Sequence, residues 1–275
     1  MTKKVSNILN IRTNKAQALK TLIENLQLSY NQVNFVFKPT KGDNEGYLSI
    51  KEVNKQNSML SIIKLYASKF EKYECNIDKD EIVLGIDIVN LSKCLKTISN
   101  DTILHLNMSS MDTNHLNILL ENGTDNKHIM ISLLDLKYKH FSFDDMTFPY
   151  EIKLPSNQFH KYCKDLSIAS EKIEILCNGK KLQLSSFEGE HNNFKYEILP
   201  KTPGFDIIST DEVEDENIVQ GIFDIKYLSN IAKCNSLDDT VTLYLDNKSP
   251  MVIKYNVSSL GTVKFVLSAI VDDTN

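Results

Sequence analysis

The chain has 275 residues, 41% hydrophobic and 24% charged, with a formal net charge of −5. That balance is globular rather than disordered, and no apolar run reaches the roughly 18 residues that a membrane span needs. Five widely spaced cysteines (Cys75, Cys94, Cys163, Cys177 and Cys234) contain no CxxC, which argues against a disulfide framework or zinc site and for free thiols used as small hydrophobes.

In chain order, the basic opening Met1-Thr2-Lys3-Lys4-Val5-Ser6-Asn7 lacks the apolar core of a secretory signal, which reads as an intracellular protein. A first helix is expected over 15–27. Strands follow at 61–66 and 81–88, with alternating or β-branched patterns. Val89-Asn90-Leu91-Ser92 opens a second helix over 89–98. Strands at 102–108, 116–121 and 128–133 come next, with Asn122-Gly123 as turn chemistry. Leu154-Pro155-Ser156-Asn157 opens a third helix over 157–168, followed by strands at 172–176 and 181–185 around Asn178-Gly179. A fourth helix is expected over 225–233 and a strand over 240–245, ending at Asp246-Asn247.

The text after the second and fourth helices is alike. Asp101-Thr102-Ile103-Leu104-His105-Leu106 matches Asp239-Thr240-Val241-Thr242-Leu243-Tyr244-Leu245, about half a chain later. With the order helix–strands–helix–strands in each half, this marks a duplicated domain. Residues 136–149, between the halves, hold Tyr138, Phe141, Phe143 and Phe148 without a steady period. Such a segment is too aromatic for a solvated linker and must pack on the body or form a partner site.

The lysines decide what the negative total charge conceals. Residues three or four apart share a helix face, and Lys93 with Lys96 and Lys161 with Lys164 are so placed. Lys226 and Lys233 lie two turns apart on one face, while Lys15 and Lys20 sit less cleanly on the first helix. Acidic residues collect elsewhere, notably in Asp211-Glu212-Val213-Glu214-Asp215-Glu216. Taken singly, each stripe is an ordinary solvated face. Together they form a basic wall suited to sequence-blind contact with duplex phosphates, since no aromatic platform or base-reading side chain accompanies them.

Several linked motifs then resemble the proliferating cell nuclear antigen (PCNA) family of DNA sliding clamps. They are Leu84-Gly85-Ile86 with Leu91-Ser92-Lys93-Cys94-Leu95-Lys96, and Leu154-Pro155-Ser156-Asn157-Gln158-Phe159 with Lys161, Cys163, Lys164, Asp165 and Leu166. Phe223-Asp224-Ile225-Lys226-Tyr227-Leu228, Pro250-Met251-Val252-Ile253-Lys254-Tyr255 and Leu260-Gly261-Thr262-Val263-Lys264-Phe265 continue the likeness. It runs from about residue 60 to the end and is weaker before that.

The resemblance implies an α+β DNA-clamp fold with two similar domains of β-sheet and two helices each, assembling into a closed homotrimeric ring. The domains would be 1–135 and 150–275, joined by an interdomain connector over 136–149. It places Lys20, Lys93, Lys96, Lys161, Lys164, Lys226 and Lys233 toward duplex DNA, and Phe141, Phe143, Pro250, Val266 and Ala269 in a pocket for client peptides. It pairs the strand holding His128, Ile129, Met130 and Ile131 with one holding Phe194 and Tyr196 between subunits. The implied partners are DNA polymerase, other clients with a PCNA-interacting peptide motif, and an ATP-dependent loader. The implied location is the nucleus, or a cytoplasmic replication site if the protein is viral. The sequence departs from the family at the long 38–46 loop, at the extended N-terminus, at Val53-Asn54-Lys55-Gln56-Asn57 beside the pocket, and in a tail without the usual Tyr and Pro. Phe141 and Phe143 replace smaller aliphatic residues.

Catalysis finds little support. HExxH, GxSxG, Walker and GxGxxG motifs are absent, so no cofactor is expected. His105 and His115 read as half-exposed strand residues, His128, His140 and His191 lie near turns or the connector, and His160 can face DNA beside Lys161 and Lys164. Asp144-Asp145 and Asp238-Asp239 read as turn or cap pairs rather than metal ligands. Cys163 lies one helical turn from His160, without an oxyanion arrangement. Two further readings stand beside the homotrimer: a heterotrimer subunit or monomeric processivity factor of the same fold, and a β-rich interaction scaffold that never touches DNA.

Overall fold

The computed structural model describes residues 7–77, 79–138, 146–187, 193–209 and 218–270. The first half of the described chain runs β1 (Asn7–Thr13), α1 (Ala16–Leu26), β2 (Gln32–Lys38), β3 (Tyr47–Val53), β4 (Met59–Tyr66), β5 (Lys72–Cys75), β6 (Ile82–Asp87), α2 (Ile88–Leu95), β7 (Ile103–Ser109), β8 (Asp112–Asn122) and β9 (Asp125–Ser132). The second runs β10 (Tyr150–Pro155), α3 (Ser156–Ala169), β11 (Lys172–Cys177), β12 (Leu182–Phe187), β13 (Lys195–Ile198), β14 (Asp206–Ser209), β15 (Val219–Asp224), α4 (Ile225–Ala232), β16 (Thr240–Leu245), β17 (Met251–Val257) and β18 (Gly261–Leu267). The element order is the same in both.

The strand pairing repeats as well. In the first half the neighbours run β5-β1-β7-β8-β9 and β6-β2-β3-β4; in the second they run β14-β10-β16-β17-β18 and β15-β11-β12-β13. The printed registers are antiparallel, as hairpin-built sheets are. The chain divides into two compact units, Met1–Glu52 with Ile62–Phe141 and Asn256–Val263, and Val53–Ser61 with Ser142–Tyr255 and Lys264–Asn275. The division cuts through β4, β17 and β18.

Each helix carries a strip of buried residues at helical spacing. In α2 these are Ile88, Leu91, Ser92 and Leu95; in α3, Phe159, Cys163 and Leu166; in α4, Ile225, Leu228, Ile231 and Ala232. Burying each large apolar side chain contributes about 1.5–3 kcal/mol. In the first unit α1 packs on α2, and in the second α3 packs on α4. Strands that face a helix layer on one side alternate, as β4 and β10 do. β2 is buried through Val33–Phe37 on successive residues, which is why no alternation betrays it in the sequence.

The second helix starts one residue before the expected Val89, because Asp87 caps it by accepting from the Asn90 N–H at 2.9 Å, and it stops at Leu95. Asp224 caps α4 in the same manner, from the Lys226 N–H at 2.8 Å. Aligned on these caps, Leu104 corresponds to buried Val241 and Leu106 to buried Leu243. Asp101 then falls opposite Asp238, so the two Asp-Thr pairs that signal the duplication lie one residue out of structural register.

Candidate nucleic-acid interface

The helix lysines are placed by the packing of the opposite strip. With Leu91 and Leu95 buried, Lys93 is turned outward and Lys96, the C-cap residue, is exposed. With Phe159, Cys163 and Leu166 buried, Lys161 and Lys164 stand exposed one turn apart. Lys226 and Lys233 are exposed at the two ends of α4.

Among the described residues, no carboxylate lies within salt-bridge distance of Lys93, Lys96, Lys161, Lys164, Lys226 or Lys233. Several strand and loop lysines are paired instead. Lys38–Glu81, Lys41–Asp80, Lys72–Glu74, Lys153–Glu151 and Lys181–Glu197 all lie between 2.8 and 3.5 Å. Lys181 and Lys195 together hold the Glu197 carboxyl below its usual range. The helix faces keep their charge available to a polyanion.

Lys20 is placed otherwise. It is half-buried, and its Nζ donates to the carbonyls of Lys96 at 3.0 Å and Ile98 at 3.1 Å. The C-terminal end of α2 presents unpaired carbonyls and the negative pole of the helix, which together draw the ammonium in. Lys127 on β9 adds a second ammonium there, 3.4 Å from both Cys94 O and Thr97 Oγ1. Sequence reading does not single out Lys127, because its partner lies 33 residues away in the chain. The one exposed ion on α1 is Glu24, so in the first unit the exposed helix lysines come from α2 and in the second from α3 and α4.

On β9, His128 is exposed, Ile129 half-buried, Met130 63% exposed and Ile131 buried. Phe194 is 36% exposed just before β13. Tyr196 stacks on Tyr162 of α3 with centroids 4.6 Å apart and donates its hydroxyl to Asp165 Oδ2 at 2.7 Å, which pushes the phenol pKa up to about 12. Asp165 is thereby a second residue whose placement the sequence does not reveal.

Of the expected client pocket, Pro250 is half-buried before β17, Val266 is buried within β18, and Ala269 is exposed after it. Phe141 and Phe143 lie outside the described residues, as do His140, His191, Asp144-Asp145 and the acidic run 211–216.

His105 meets Glu121 at 3.0 Å and His115 meets Asp112 at 2.9 Å. Asp238 accepts from the Thr240 N–H, and the Asp239 carbonyl accepts from the Ser156 N–H. Burial pushes the Cys163 and Cys234 thiols up. Among the described residues no three His, Cys, Asp or Glu side chains gather as a metal site, and no helix is long and apolar enough to cross a membrane.

A twice-repeated sheet-and-helix unit with unpaired lysines on its helices is the class that this geometry defines. Comparison with known proteins gives the family. The model for the PCNA N-terminal domain matches residues 8–145, and that for the C-terminal domain matches 142–270. The chain belongs to the proliferating cell nuclear antigen family.

It is similar to the proliferating cell nuclear antigen of Dictyostelium discoideum, at 27% identity over 92% of this chain and 96% of that protein. It is also similar to a probable DNA polymerase sliding clamp of Paramecium bursaria Chlorella virus 1, at 24% over 96% and 97%. A probable DNA polymerase sliding clamp of Acanthamoeba polyphaga mimivirus is 24% identical over 96% of this chain, which spans 62% of that longer protein. The crystal structure of the Entamoeba histolytica proliferating cellular nuclear antigen shares the fold, with a TM-score of 0.84 at 20% identity, over 97% of this chain and all of that one.

Proposed function

We propose that this chain is a DNA polymerase processivity factor, a sliding clamp that closes as a homotrimeric ring around duplex DNA and acts without catalysis. The observation that carries the reading is the set of exposed lysines on α2, α3 and α4 with no carboxylate partner among the described residues. Lys93, Lys96, Lys161, Lys164, Lys226 and Lys233 meet the phosphates. Lys20 acts behind them, holding the end of α2.

Retention is topological. Lysine–phosphate contacts are weak, exchange quickly and are screened by salt, so a closed ring slides instead of gripping. Clients dock by an apolar and aromatic peptide motif at the 136–149 connector, with Phe141, Phe143, Pro250, Val266 and Ala269 as the receiving residues. This holds them at raised local concentration beside the template. A separate ATP-dependent loader opens the ring. The eukaryotic and viral sources of its relatives support action in a nucleus or at a viral replication site.

The test loads the protein on nicked circular DNA and then linearises the circle. Release on linearisation, with the amount loaded at least 10-fold lower for Lys93→Glu with Lys161→Glu and Lys226→Glu at low salt, is the expected result. Equal loading of the reversed protein would remove the lysine wall from the account.

A further inference from the structure

The first unit holds a cavity of about 560 Å³ between the start of β6 and the turn that joins β7 to β8. Ile8, Ile77, Ile82 and Met108 give it an apolar wall, and Glu81, Val83 and Thr113 line it as well. Among the described residues its lining shares nothing with the helix lysines or with the 136–149 connector.

The duplication shows what this position can hold. Asp87 and Asp224 cap equivalent helices, so Gly85 corresponds to Ile222, Val83 to Gln220 and Glu81 to Ile218. β6 and β15 each stand at the end of their strand order. Gly85 O accepts from the Leu134 N–H, and Ile222 O accepts from the Ile270 N–H, both at 2.8 Å. Backbone groups of an antiparallel strand alternate in direction, so Val83 and Gln220, two residues earlier, face the same outer edge.

In the second unit a side chain occupies that edge. The Gln220 N–H donates to Asn247 Oδ1, and Asn247 Nδ2 donates to Ile218 O, both at 2.9 Å. The Asn247 carboxamide, in the turn between β16 and β17, therefore stands in for one peptide unit of a further strand. In the first unit Ser110 holds the aligned place in the β7–β8 turn, and a hydroxyl lacks the planar donor–acceptor pair of a carboxamide. Among the described residues the Val83 N–H has no hydrogen-bond partner. Where the second unit places Asn247, the first has the cavity.

We propose that this cavity binds an extended peptide of a partner protein through an asparagine carboxamide, whose Oδ1 accepts from the Val83 N–H and whose Nδ2 donates to Glu81 O. A peptide carbonyl has two lone pairs, so Glu81 O can take that bond beside any other it makes. The cavity has the size of a ligand pocket, far larger than one carboxamide. Its apolar wall suits hydrophobic neighbours on either side of the asparagine, and the open edge suits an added strand. Aspartate would set an acceptor against Glu81 O, and leucine would leave the Val83 N–H without a partner.

The test titrates the full ¹⁵N-labelled chain with the blocked peptide acetyl-Ile-Asn-Val-amide, and with the same peptide carrying Asp or Leu for Asn. A saturating shift of the Val83 amide at millimolar peptide, with Gln220 unmoved, is the expected result. The Asp and Leu peptides should bind about 10-fold more weakly or worse. Without peptide, the Val83 N–H should exchange with solvent about 10-fold faster than the Gln220 N–H or more. Ser110→Asn supplies a carboxamide from the turn, as Asn247 does, and should both slow that exchange and weaken the peptide by a similar factor.

Equal affinity of the three peptides would overturn carboxamide recognition. No Val83 shift with the Asn peptide would overturn the site. A Val83 N–H as protected as that of Gln220 in the unaltered chain would overturn the open edge. These three readings use the unaltered chain and hold whatever the Ser110→Asn variant does.

Discussion

The helix pairs of the two units have the same place in the fold, yet they finish their helices differently. In the first unit the carbonyls at the end of α2 are met by imported ammoniums, Lys20 from α1 and Lys127 from β9. In the second, α4 runs on into a 3₁₀ turn at Lys233–Ser236, and the end is tied to α3 by a hydrogen bond between side-chain amides, Asn235 Nδ2 donating to Asn157 Oδ1 at 2.8 Å. Aligned on Leu19 and Phe159, the position of Lys20 is occupied in α3 by His160. The shared requirement is that terminal carbonyls find donors. Backbone hydrogen bonding continues past both ends, but charge adds to it only at the first, so only the first should respond to salt.

The largest effect should come from the shared part of the two pairs. Phe159→Ala, at a fully buried site, is expected to cost about 3–5 kcal/mol, and Leu19→Ala at the matching site about 2–5 kcal/mol, both by urea unfolding. Removing the feature that differs should cost less and in one unit only. Lys20→Met should lose about 1–2 kcal/mol, with the loss shrinking in 1 M salt, while His160→Met stays within about 0.5 kcal/mol. Equal losses for these two would break the comparison.

The N-caps are alike and should behave alike, with Asp87→Ala and Asp224→Ala each costing about 1 kcal/mol. The smallest effect concerns Tyr196. Its folded pKa, about 12, lies above the ordinary value of 10.0 because Asp165 accepts from the hydroxyl. The folded chain therefore holds that proton more tightly than the unfolded chain. The associated stability is full below about pH 10 and is lost as pH rises through about 12. Tyr196→Phe should flatten unfolding curves in that alkaline window and leave those at pH 7 nearly parallel to the parent.

Much of this was legible in the amino-acid text. Helical spacing located all four helices to within a few residues, because an apolar strip at that period has one way to be buried. The same spacing turned Lys93, Lys96, Lys161 and Lys164 outward before any packing was known. The Asp-Thr repeat revealed the duplication, although the aligned caps show that those pairs are not equivalent positions. β2 escaped notice since burial on both faces erases alternation, and β5 and β14, with four residues each, offer too few to carry a period.

By itself, then, the sequence determined the helices, the duplication and the outward lysines, since local periodicity and side-chain chemistry suffice for each. Tertiary structure alone decided that Lys20 and Lys127 converge on the end of α2 and that Tyr196 reaches Asp165. Those features depend on contacts between residues 31 to 78 positions apart. No local pattern encodes such meetings, because they form only when the sheets and helices have packed.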